Sequence, residues 1–112
     1  MTSPIQNIPE RIDLLSNQAV EGGQHFIVGP VNTDFSLVVF HSSVVGLLSD
    51  SCKPYVIQAW PDLNGNYTHY FNQSYLPATL TGYPGTGSVM FDFFGTCNSE
   101  TPIVSAWLEI VP

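Results

Sequence analysis

Basic side chains are nearly absent from this chain. Arg11 and Lys53 are the only two, and charged residues of either sign make up 10% of 112 residues, where a soluble domain ordinarily carries roughly 25%. A long amphipathic helix needs Lys, Glu and Arg on its wet face, so a helix bundle is excluded. With nine carboxylates the formal net charge is −7. A nucleic-acid partner is therefore not expected, because nonspecific affinity comes from Lys and Arg displacing counterions. An anionic membrane surface is disfavoured for the same reason. No apolar run approaches the roughly eighteen residues of a spanning helix. The amino end, MTSPIQNIPERIDLL, has no basic region leading into an apolar core and does not read as a signal peptide.

Cysteine is also scarce. Cys52 and Cys97 sit in polar loop contexts, SDSCKP and GTCNSE, each beside an expected strand. If they meet at one end of the fold, a bridge closes a loop of about 45 residues and adds roughly 4 kcal/mol in the chain-entropy model. The alternative is two free thiols in a reducing compartment. No CxxC or Cys/His spacing suggests zinc.

What is present is short, alternating and aromatic. Residues 1–10, with Pro4 and Pro9, have no period and read as an extended arm ahead of a domain spanning 11–112. Such an arm either frays or lies on a neighbouring subunit, and Ile5 and Ile8 favour contact. Arg11–Ser16 is a first strand or a short helical turn. Gln24–Pro30 is a strand expected to stop at Gly29-Pro30. Asp34–His41 puts Phe35, Leu37 and Val39 on one face, with Ser36, Val38 and Phe40 on the other. Ser42-Ser43 is expected to break it before a short continuation over Val44–Leu48. Ser88–Phe94 and Pro102–Val111 alternate cleanly. Seven or eight short strands with Gly/Pro/Ser turns about ten residues apart indicate an all-β, antiparallel β-sandwich of jelly-roll or immunoglobulin-like type.

The most informative local signal is PYVIQAWPD-LNGN-YTHYFN, residues 54–72. Asn64-Gly65 suits a two-residue type I′ hairpin turn. Counting outward from it pairs Asp62 with Tyr67, Trp60 with His69 and Gln58 with Phe71, all on one surface. Asp62, Asn64 and Asn66 imitate the start of an EF-hand loop, but Tyr67 and Gln73 stand where that loop needs Gly and Glu. No metal or other cofactor is expected. Gly82–Ser88 has no lysine to make a phosphate loop and leads into a strand. His25, His41 and His69 form no catalytic motif, so no catalytic residues are assigned and the chain does not read as an enzyme. Gln73–Gly87 is expected to be irregular throughout.

Two kinds of contact surface remain. Trp60, Tyr67, His69, Tyr75 and Tyr83 concentrate aromatics around the hairpin and the 73–87 loop, where they would stack on sugar rings or pack between layers. Strands 35–40, 89–94 and 103–111 are apolar on both faces, although a lone sandwich buries only one. That excess makes Phe40, Phe94 and Trp107, with Ile5 and Ile8, the expected oligomer interface. In general character the chain resembles the small β-sandwich proteins of tailed-bacteriophage virions, above all the capsid decoration (cement) proteins that sit as trimers on the shell. The resemblance covers the whole chain, rests on no motif and transfers no functional residue. It implies a homo-oligomer, a trimer, that contacts the major capsid protein in the virion. The alternatives are a carbohydrate-binding module, a tail or fibre component, or an accessory domain of an enzyme, and the alternative location is extracellular.

Overall fold

The computed structural model describes residues 10–32, 37–61, 64, 66–80 and 88–111. Residues 1–9 of the expected arm, with Ile5 and Ile8, the segment holding Phe35, and Tyr83 lie outside the described residues, while Glu10 opens the first strand. Eight strands follow in order: β1 Glu10–Ala19, β2 His25–Asn32, β3 Leu37–Val45, β4 Tyr55–Pro61, β5 Tyr67–Tyr75, β6 Thr79–Leu80, β7 Ser88–Phe94 and β8 Ile103–Val111. A 3-10 turn over Asp50–Cys52 precedes β4.

The strands form two four-stranded antiparallel sheets, β1-β8-β3-β6 and β2-β7-β4-β5. First pairs with last, second with seventh, third with sixth and fourth with fifth. This is one long antiparallel ribbon, with β4 and β5 at its tip, rolled until β3 meets β8 and β4 meets β7. The sandwich is a jelly roll.

Alternation decides what lies inside. Val104, Ala106, Leu108 and Ile110 of β8 and Val38 and Phe40 of β3 are buried from one sheet; Val56, Val89, Phe91 and Phe93 meet them from the other. Phe40 is 0% exposed, and its ring stacks on Phe91 at 5.7 Å and on Phe93 at 6.3 Å. The expectation of Phe40 at an oligomer interface is therefore corrected. Both faces of residues 35–40 are apolar in sequence, and the one that carries Phe40 is the one that packs on β7.

Three strands depart from their expected limits, each for a visible reason. Strand β3 runs through Ser42-Ser43 to Val45 in unbroken register with β8. The Ser42 hydroxyl donates to the Ala78 carbonyl at 2.8 Å and accepts from the Ala78 amide at 2.7 Å. A polar residue expected to end a strand instead ties in its neighbour β6. Strand β2 continues past Gly29-Pro30 to Asn32, with a register slip between Val28 and Val31. A bulge on an edge strand is where proline is tolerated within a sheet. Part of 73–87 is regular: β5 extends to Tyr75, Leu76 is fully buried, and Thr79–Leu80 pairs with β3.

At one end the chain is cinched. Cys52 and Cys97 form a disulfide, Cα–Cα 5.2 Å, across a separation of 45 residues. Beside it the Gly22 amide donates to the Cys97 carbonyl at 2.8 Å, and the Gly95 amide to the Gln24 carbonyl at 3.0 Å. A Cβ on Gly95 would overlap the Glu21 carbonyl. Only glycine permits this approach between the β1–β2 connection and the end of β7.

Candidate functional site

The hairpin settles into a different register from the one counted off Asn64-Gly65. Trp60 does oppose His69, but Gln58 opposes Asn72 and Pro61 opposes Tyr67. Slips on either side of Ala59–Trp60 each leave one extra residue on β5, Phe71 and then Thr68. The last described pair is Pro61 with Tyr67, and Asp62 and Gly65 of the expected turn lie outside the described residues. A proline at the end of β4 has no amide to extend the ladder. The irregularity next to Ala59 also turns Gln58 and Ala59 both inward.

These shifts redistribute the expected ligand-stacking residues. Trp60 is partly buried and packs against the core. Tyr67 and His69 belong to β5, but their side chains lie outside the described residues. Tyr75, 64% exposed, reaches the surface. It does so on the outer face of β2-β7-β4-β5, where the register assembles something the hairpin alone does not contain.

Across that face His25 pairs with Phe94, Phe94 with Tyr55, and Tyr55 with Tyr75. One aromatic ring stands on each of the four strands. His25 stacks on Phe94 with centroids 5.4 Å apart and planes 11° apart; Phe94 stacks on Tyr55 at 4.9 Å and 9°. Tyr75 closes the row at 6.1 Å, its ring turned by 76°. Neighbouring strands are about 4.8 Å apart, so rings stacked at nearly that spacing stand upright on the sheet. They present edges to solvent and cover one another's faces. The next row along the strands is Ile27, Asp92, Ile57 and Gln73. Ile27 is 56% exposed, and partly buried Met90 lies beyond Asp92 on β7.

Asp92 is the only carboxylate in these two rows. Its Oδ1 is 3.0 Å from His25 Nδ1 and its Oδ2 is 3.3 Å away. A carboxylate-oriented histidine is half of a nucleophile-activating arrangement. The strand neighbours of the pair are Phe94 beside His25 and Ile27 and Ile57 beside Asp92, and none of these is a nucleophile. The described residues contain no group of three or more His, Cys, Asp or Glu placed to hold a metal.

The opposite outer face, on β1-β8-β3-β6, is built otherwise. Trp107 lies between β1 and β3, with the Arg11 guanidinium 4.4 Å from its ring centroid and His41 stacked at 5.5 Å and 12°. Arg11 Nε also pairs with Asp13 at 2.7 Å, and His41 Nε2 lies 3.8 Å from Glu109. Trp107, expected at an interface, is thus flanked by its own sheet neighbours on a charged surface. Phe94, expected at the same interface, is central to the aromatic row. His25 and His41 stand on opposite sheets of the sandwich, so they do not converge on one site.

The row was not legible in advance because its members are far apart in sequence. In the sequence Phe94 reads as an interface residue, Tyr75 as a ligand-stacking one, and His25 as part of no motif. Only the β2–β7–β4–β5 pairing unites them.

Comparison with family models finds no match, and comparisons with curated proteins and with solved structures find no significant one.

Proposed function

We propose that this protein is a non-catalytic virion structural protein: a capsid decoration, or cement, protein that docks onto other protein surfaces and stiffens a shell. The observation that carries the reading is the upright aromatic row on the outer face of β2-β7-β4-β5. A polar outer face is what an isolated sandwich needs, and this one instead offers Phe94, Tyr55, Tyr75, Ile27, Ile57 and Met90. Aromatics and Met are enriched at the centres of protein–protein contacts, and charged residues are depleted there. Jelly rolls serve in both capsid and lectin domains, so the surface and not the fold favours the structural role. A net charge of −7 suits a partner surface that is more basic.

The reading is tested by mixing purified protein with shells that lack it and sedimenting them. Saturable co-sedimentation, with the chain also present among virion proteins, is the expected result. Absence from both would overturn it.

A second reading, glycan binding, has one specific observation in its favour. Tyr75 is exposed and turned out of the stack, so its ring face is open to a sugar. Retention on a glycan array that is lost in Tyr75→Ala, with the fold intact, would favour that reading over the first.

A further inference from the structure

We infer that the outer face of β2-β7-β4-β5 is covered by the same face of a second copy of this chain, giving a two-fold dimer. The inference rests on the structural reading above and names the occupant of its docking face. Charge places a self-contact on this face and not on the opposite one. Two copies of a chain carrying −7 repel each other wherever carboxylates meet, so a self-contact belongs where they are absent. In the two rows of this face the single carboxylate, Asp92, is held by His25 at 3.0 Å. The other outer face presents Asp13 and Glu109 and would bring acidic groups from both copies together.

Shape agrees with charge. A sheet face packs on another sheet face at about 10 Å, with side chains from both filling the layer. Upright rings flanked by Ile27 and Ile57 are suited to interdigitation, since their edges project and their faces are already stacked. A single apolar face that is its own partner closes in pairs, whereas a ring of three needs two different patches on each copy. The expected trimer is replaced here by a dimer.

The test is sedimentation velocity of the whole chain at micromolar concentration, with Ile27→Glu and Tyr75→Glu. Both positions are more than half exposed, so the fold should survive, as checked by near-ultraviolet circular dichroism. Val45→Glu, at a 65% exposed position on the other sheet, is the control. The expected result is a dimer whose dissociation constant rises at least about tenfold in each of the first two variants and is unchanged in the control. A monomeric wild type, a trimer, or a dimer indifferent to Ile27→Glu and Tyr75→Glu would each overturn the inference. Co-sedimentation with shells separates the two ideas. A monomer that still binds shells sinks only the dimer, and a dimer that ignores shells sinks only the virion role.

Discussion

Gln58 is the residue most at odds with its surroundings. Its side chain is 0% exposed, and neither amide atom finds a hydrogen-bond partner among the described residues. A buried polar group left unsatisfied costs about 1–3 kcal/mol, and replacing it by an apolar group of similar shape removes that cost. Gln58→Met is accordingly expected to raise unfolding stability by about 1–2 kcal/mol in urea titration; a loss of stability would show that the amide is satisfied by bound water. Phe91 is the opposite case, fully buried and stacked with Phe40. Phe91→Ala should cost about 3–5 kcal/mol in the same titration, and a change below about 1 kcal/mol would place it outside the working core.

At the scale of elements, polar side chains and bulges, more than strand propensity, set where strands go. Ser42 exchanges two hydrogen bonds with the Ala78 backbone and so carries β6 at the edge of its sheet. Ser42→Ala leaves the partly buried Ala78 amide without that acceptor, at an expected cost of about 1–3 kcal/mol. Amide exchange at Ala78 should quicken well before exchange in β8; equal rates would mean that β6 is held by other contacts. The same distinction explains what the sequence made legible. In β7 and β8 alternation groups Val89, Phe91, Phe93 on one face and Val104, Ala106, Leu108, Ile110 on another, and these are the buried sets. In β5 the slips at Phe71 and Thr68 depend on how β4 lies against it, and nothing within residues 67–75 announces them. The aromatic row lies further from local reading, since His25, Tyr55, Tyr75 and Phe94 become neighbours only after the ribbon has rolled.

At the scale of the whole molecule, one end is stapled and one face is unusually apolar. The staple is the Cys52–Cys97 bond beside the close approach at Gly95. Replacing both cysteines by serine should cost about 4 kcal/mol from the 45-residue loop in the chain-entropy model, read as a lowered melting temperature. An unchanged melting temperature would mean that the bridge does not constrain the unfolded chain. The face is where the account of function stands: three stacked rings and a fourth, Tyr75, turned across them, with a single engaged carboxylate in the two rows. Hydroxyl-radical footprinting of the chain, dilute and then concentrated, tests most directly whether a second copy covers that face. The account predicts that oxidation of Tyr75 and Phe94 falls on concentration while that of the exposed Leu48 does not. Equal oxidation of Tyr75 and Phe94 in both samples would contradict it.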